Sequence, residues 1–345
     1  MLVKKRRATS AEVAREAGVS RTTVSLVLNN APNAGIPEET RRKVLEVAAR
    51  LSYVPNVSAR RLVSGKSHTM AFVIHQSPER AASDLFLPEV LRGLVTVARE
   101  QGYHILFHPV DPDNPQDDYA NLFYQGYVDG IVLSGPQQHE MEAIGLFEEG
   151  APIVVTGRLP GYELPCVDAD NYQGAALATE HLIELGHRRI GLITNAPSVY
   201  LASQERHEGY RNALETAELL YDPSLVREGY FTAESGYQAM SQLLAMAEPL
   251  TAVFVASDVV ALGAVQAVKD DGRRIPQDVA IVGFDDVSIA KYVEPHLTTV
   301  HLPAYDLGWH SGQLLLRLIA QDPPAELIQL LPTELVIRDS CGAIV

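Results

Sequence analysis

Cysteine is scarce: two residues in 345, Cys166 and Cys341, with no CxxC pair and no histidine at metal-ligand spacing. A disulfide framework and a zinc ribbon are excluded, and free buried thiols are the expected state. Long hydrophobic runs are also missing. The most apolar stretch, "LTAVFVASDVVALGAVQAV", is interrupted by Asp258 and has the Ala/Val/Gly pattern of a buried strand followed by a helix. Near the start, "KKRR" leads into the polar "ATSAEVARE", without the apolar segment of a secretory signal. The expectation is a soluble, cytoplasmic protein with no membrane attachment. Catalytic motifs are lacking too: the chain has no GxSxG elbow, GxxxxGK[ST] phosphate loop, HExxH helix or GxGxxG turn after a strand, and its 11 histidines are scattered. These absences argue against an enzyme and give no reason to expect a cofactor or a metal.

What is present is divided by charge. A length of 345 residues, 46% of them hydrophobic, suits two or three globular domains. The formal net charge is -15, yet residues 1 to 66 hold 13 lysines and arginines against 5 acids, net +8, and the remainder is net -23. A basic head on an acidic body is the asymmetry expected when only the head meets phosphates. The alternative, a basic solvated tail, conflicts with the head's structured pattern.

In the head, Thr9 or Ser10 can cap a helix in which Val13, Ala14 and Ala17 recur at helical spacing, and Gly18 ends it. Ser20 is the N-cap candidate of a second helix whose Val24, Val27 and Leu28 share one face, with Arg21, Thr22, Ser25 and Asn29 on the other. This is the helix-turn-helix pattern, in which the start of the second helix reaches base edges in the major groove. A third helix is expected from about Pro37 to Leu51, with Val44, Leu45, Ala48 and Leu51 as its apolar stripe. The following "YVPNVSARRLVSGKS" offers Pro55 as a breaker, Asn56 as a cap and one or two helical turns with Arg60 and Arg61. Alone, so short a helix is marginal, and it needs DNA or a twin to form.

Eight stretches then resemble the LacI/GalR family of bacterial transcriptional regulators. They are "EVAREAGVSRTTVSLVLN", "TRRKVLEVAARLSYVPN", "SARRLVSGKS", "DADNYQGAALATEHLIELGHRRIGLI", "RHEGYRNAL", "VFVASDVVALGAVQAVKDDGRRIPQDVAIVGFDD", "LTTVHLPAYDLG" and "LVIRDSC". They cover nearly the whole chain in family order. The resemblance implies a hinge helix that pairs with its twin in the minor groove, where Leu62 would wedge into a near-palindromic operator and bend it. An apolar wedge flanked by arginines offsets unstacking with phosphate contacts. The candidate DNA-contacting residues are Ser20, Arg21, Thr22, Thr23, Ser25, Leu26 and Asn29 in the head, and Asn56, Ser58, Ala59, Arg60 and Leu62 in the hinge. Many relatives carry arginine where this chain has Leu26, which offers only apolar contact, so direct reading falls on Arg21 and Thr22.

From Thr69 onward, apolar runs such as "MAFVIH", "YHILFH", "DGIVLSG" and "PIVVTG" alternate with amphipathic stretches, and the alternation restarts near Asp170. Two successive α/β halves imply two doubly wound lobes with a ligand cleft at the carboxyl ends of their strands. The expected fold is an all-α helix-turn-helix head plus an α/β body, for which the resemblance implies a periplasmic-binding-protein-like fold. Expected boundaries are 1–55 for the head, 56–67 for the hinge and linker, and 68–345 for the body. Lobe 1 takes about 68–167 and 299–325, and lobe 2 about 168–298 and 326–345, with the segment from Leu297 to Asp322 returning to the first lobe.

Asp258 stands at a strand's end and a helix's start, where it can bind a ligand or merely cap the helix. The family match favours ligand contact, and it likewise makes Arg206 an effector-binding arginine rather than an exposed helix residue. Phe86 can stack on a sugar face or fill core. Tyr200 and Asp285 complete the candidate effector set as weaker candidates, and Asp168, Asp170 and Asn171 stand beside them, all near expected strand ends or in cleft loops whose polar residues often just close turns.

The expected function is a DNA-binding regulator, read as a repressor, that takes operator DNA as a homodimer and responds to a small, carbohydrate-like effector in the cleft. Two alternatives stay open, a protein co-effector and a sugar-binding receptor. No apolar heptads follow "RDSCGAIV", so a dimer is expected rather than a coiled-coil tetramer.

Overall fold

In the computed structural model, residues 8–28, 35–54, 65–111, 118–137, 140–159 and 161–343 are described. Asn29 and the hinge candidates Asn56, Ser58, Ala59, Arg60 and Leu62 lie outside them. The chain divides into two compact units, Met1–Ser67 and His68–Val345.

Among its described residues the first unit holds helices α1 (Ser10–Ala17), α2 (Arg21–Leu28) and α3 (Glu38–Arg50). Thr9 and Glu12 form a capping box: the Thr9 side chain accepts from Glu12 N, and the Glu12 carboxylate accepts from Thr9 N at 2.8 Å. At the other end of α1, Gly18 takes the left-handed conformation, φ 70°, that stops a helix cheaply only at glycine. Ser20 Oγ accepts from Thr23 N at 3.0 Å, the predicted cap of α2. Val13, Ala14, Ala17, Val24, Val27, Val44, Val47 and Ala48 close a core of small side chains. One residue of the predicted stripe is wrong. Val47 is buried while Leu45 is 47% exposed, because Val44, Val47 and Ala48 recur at i, i+3, i+4 and Leu45 sits about 100° off that face.

The second unit contains two six-stranded sheets. The first has the order β2 (His104–Pro109), β1 (Thr69–Ile74), β3 (Gly130–Ser134), β4 (Ile153–Thr156), β5 (Cys166–Ala169), β11 (Ile328–Leu331), all parallel. The second has the order β7 (Val226–Arg227), β6 (Ile190–Ile193), β8 (Ala252–Val255), β9 (Ala280–Asp285), β10 (Thr298–His301), β12 (Glu334–Val336), parallel except where β12 meets β10. Central strands covered on both faces read as continuous apolar runs, as β8 does with all four residues buried. Helices α4 (Pro78–Ser83), α5 (Leu87–Glu100), α6 (Ala120–Tyr124), α7 (Met141–Glu148) and α12 (Ala304–Ile319) belong to the first lobe. Helices α8 (Asn171–Glu184), α9 (Leu201–Thr216), α10 (Ala233–Leu244) and α11 (Asp258–Asp270) belong to the second. Where α5 crosses α12, a Cβ on Gly93 would strike the Tyr305 carbonyl and one on Gly308 the Val90 carbonyl, so only glycine allows the two backbones this close.

The chain crosses between lobes three times, after β5, after β10 and after β11. The strands therefore fall differently from the expected boundaries. Residues 299–301 belong to β10 in the second sheet, so the return to the first lobe begins with α12, not near Leu297. Residues 328–331 belong to β11 in the first sheet, where Ile328 pairs with Cys166. Four-residue strands carry too little periodicity to assign to one sheet or the other from sequence.

Candidate effector cleft and DNA-reading face

Two faces carry chemistry, one in each unit. On the head, packing of Val24 and Val27 turns the rest of α2 outward: Ser20, Arg21, Thr22 and Ser25 are exposed, and Thr23 and Leu26 half-buried. These side chains stand at the start of the second helix of a helix-turn-helix, the position from which base edges are reached.

In the body, both sheets share a doubly wound order whose direction reverses beside its first strand, at β1/β3 and at β6/β8. Ligands bind at the carboxyl ends of strands at such points. A cavity of about 160 Å³ lies there, lined by His75 and Gln76 after β1, Arg158 after β4, Asp168 at the end of β5, Asn195 after β6, Ser257 after β8 and Asp285 at the end of β9. Phe86, Tyr200 and Phe231 add aromatic surface, and Tyr200 meets Phe231 edge-on at 5.2 Å. The lobes touch around it. Tyr200 Oη donates to the His75 carbonyl at 3.1 Å and accepts from Gln137 Nε2 at 3.3 Å, and the Arg80 guanidinium lies 4.1 Å above the Tyr230 ring.

Arg206 organises the second-lobe wall. Its Nε donates to Asn171 Oδ1 at 2.9 Å and Nη1 to the Ala256 carbonyl at 2.6 Å, with Asp285 Oδ1 at 3.4 Å and the Phe284 ring 3.8 Å below. Burial pulls the guanidinium below the usual arginine range while Asp285, Asp168 and Glu205 act in the opposite direction. Across the cleft Arg158 Nη2 meets Glu205 Oε1 at 2.6 Å, and Nε lies 3.6 Å from Asp168 Oδ2. Burial pushes Asp168 up to about 7 and Asp285 up to about 6, in the latter case against the attraction of Arg206. Asp285 and Asp286 also hold positive φ, 114° and 57°, a conformation that costs non-glycine residues and collects at functional sites.

Of the candidate effector residues, Phe86, Tyr200, Arg206 and Asp285 line the cavity, as do the weaker candidates Asp168 and Asn171. Asp258 does not. It is fully buried, its Oδ1 accepts from Thr299 Oγ1 at 2.6 Å and its Oδ2 from Val287 N at 3.0 Å, so the carboxylate ties α11 to the loops and strand beside it. It is not the N-cap either, a position held by Ser257. The neighbours Ser257 and Val259 face the cavity in its place. Asp170 caps α8, accepting from Gln173 N at 2.9 Å. Gln76, Asp84, Arg158 and Asn195 were not legible as candidates. Gln76, Arg158 and Asn195 each stand two residues past a strand's end, which is the signal that could have found them.

A helix-turn-helix head and a two-lobed body whose strand ends converge on one cavity define the class: a DNA-binding regulator with a periplasmic-binding-protein-like body. Residues 9–56 match the model of bacterial regulatory proteins of the lacI family, and residues 179–341 that of the periplasmic binding protein-like domain. The HTH-type transcriptional regulator CelR of Thermobifida fusca is 35% identical over 340 residues, covering 98% of this chain and 99% of that one. The HTH-type transcriptional repressor CytR of Escherichia coli (strain K12) is 33% identical over 339 residues, covering 98% and 97%. Among solved structures, a CelR complex with cellobiose is 34% identical with a TM-score of 0.75, covering 97% of this chain and 100% of that one. A lac repressor dimer bound to operator and the anti-inducer ONPF is 27% identical with a TM-score of 0.87, covering 98% and 100%. The chain belongs to the LacI family of bacterial transcriptional regulators. Among its described residues no helix is long and apolar enough to cross a membrane.

Proposed function

We propose that the chain represses transcription in the cytoplasm by binding a near-palindromic operator as a homodimer, with its affinity set by a small carbohydrate-like effector in the cavity between the lobes. The observation that carries this reading is the convergence of both sheets' strand ends on one cavity with a buried guanidinium, buried carboxylates and aromatic rings. Polar groups fixed by the protein and flanked by rings suit a polyol that presents hydroxyls at its edge and C–H groups on its faces. The CelR structure holding cellobiose supports a sugar over a protein co-effector. Base reading falls to Arg21 and Thr22, with Ser20, Thr23, Ser25, Leu26 and Asn29 beside them. Asn56, Ser58, Ala59, Arg60 and the wedge Leu62 serve the hinge. Coupling runs through population shift: effector binding favours one closure of the lobes, and closure favours or disfavours the operator-bound arrangement of the dimer.

Titrating labelled operator DNA with the full-length protein, with and without cellobiose and other mono- and disaccharides, tests the reading. A sugar-dependent change in operator affinity is expected. Specific binding that no sugar moves would point to a protein co-effector, and absence of specific DNA binding to a receptor.

A further inference from the structure

We propose that the cavity selects a non-anionic, hydrogen-bond-donating effector, a neutral or aminated sugar, and rejects sugar acids and sugar phosphates. The inference rests on the reading of this cavity as the effector site. Its first basis is charge. Among the described residues, Asp84, Asp168 and Asp285 line the cavity with two guanidinium groups, Arg158 and Arg206. Both are already matched: Arg158 faces Glu205 at 2.6 Å and Asp168 at 3.6 Å, and Arg206 faces Asp285 at 3.4 Å. The His75 imidazole is committed as well, its Nε2 being 2.9 Å from Glu140 Oε1. Among the described lining residues an entering carboxylate or phosphate meets no uncompensated cation, since the Arg80 guanidinium lies outside the lining over the Tyr230 ring, and it adds like charge beside buried acids. Burial already lifts Asp168 to about 7 and Asp285 to about 6, the mark of a site that resists the negative charge it holds.

The second basis is the inventory of lone pairs. Gln76 Nε2 donates to Asp84 Oδ2 at 3.2 Å, which fixes the amide and leaves Gln76 Oε1 buried with no protein partner. Asn195 Oδ1, in the opposite lobe, is likewise buried without a partner. Unpaired buried acceptors on two cavity-lining side chains call for donors, which the hydroxyl and ammonium groups of neutral and amino sugars supply; sugar acids keep most of their hydroxyls, so the discrimination against anions rests on the charge basis.

The experiment uses the full-length protein at pH 7.5, read by thermal shift and calorimetry. The probes are glucose, galactose, xylose, cellobiose and maltose as neutral sugars, glucosamine and galactosamine as amino sugars, and glucuronate, galacturonate and glucose 6-phosphate as acids. Binding of at least one neutral or amino sugar is expected, with its acidic counterpart weaker by roughly a hundredfold, the scale of one uncompensated charge in a partly buried site. An acid that binds as tightly as its neutral counterpart would overturn the inference while leaving the effector site standing. No binding by any probe would overturn the carbohydrate reading itself. Asp168→Asn should narrow the gap between acid and neutral sugar about tenfold, a gain that misfolding cannot mimic; an unchanged ratio would refute the electrostatic basis. Gln76→Leu should weaken the neutral sugar about tenfold with the unliganded melting temperature unchanged, and undiminished affinity would refute the acceptor basis.

Discussion

Two arginines show how differently the head and the body are built for their partners. Arg21 is exposed at the start of α2, in a unit of net positive charge whose core is alanine and valine. Arg206 is buried in the acidic body, held by Asn171, Ala256 and Asp285. The head offers charge to a polyanion in water, where long-range attraction and exposed side chains serve it. The body fixes its charge before any ligand arrives, where rigidity gives discrimination. On the proposed function, stability and recognition are separable at the first site and fused at the second.

The bluntest way to break the comparison is to remove the head. Residues 68–345 alone should fold and keep sugar binding while operator affinity falls by more than a hundredfold, measured by anisotropy and calorimetry. Loss of the body's folding would show that the units are not independent. Within the body, Arg206→Ala should cost about 3 to 5 kcal/mol in thermal unfolding, because it leaves Asp285 buried beside unmet acceptors. Arg21→Ala should leave stability within about 0.5 kcal/mol but relax base preference at one operator position by about 1 to 3 kcal/mol, read from operator variants. Thr9→Ala should cost the head about 1 kcal/mol through the lost capping box and leave the body's melting unmoved, as seen by chemical denaturation of the two units.

The pH dependence sharpens the contrast further. Asp168 is held near 7, above the ordinary 3.8 of an aspartate, so the folded body keeps a proton that the unfolded chain releases. The stability from this group is present below about 3.8 and is lost as pH rises through about 7. Asp168→Asn should flatten that fall in a series of melting curves.

The sequence made the head legible almost residue by residue, because Thr9, Gly18 and Ser20 act on neighbours within four positions. Leu45 was misplaced because a charged helix with five apolar residues, Val44, Leu45, Val47, Ala48 and Ala49, admits more than one stripe. In the body the alternation of strand and helix was readable, and β12 falls in the second lobe as expected, whereas β5, β10 and β11 were too short to assign, and with them the lobe boundaries. The cleft was legible where a residue's own position sufficed, as for Arg206, Asp285 and Tyr200. It was not legible where the outcome depends on a distant partner: Asp258 faces away from the cavity because Thr299, 41 residues on, claims its oxygen. Arg158 enters the site for the same kind of reason, since Glu205 belongs to the other lobe.

The central claim is that head and body are thermodynamically coupled, and reciprocity tests it most directly. With one sugar that binds, operator affinity is measured with and without saturating sugar, and sugar affinity with and without saturating operator. The account predicts that both ratios differ from one and are equal. Ratios of one in both directions, with sugar and operator each bound tightly, would contradict it.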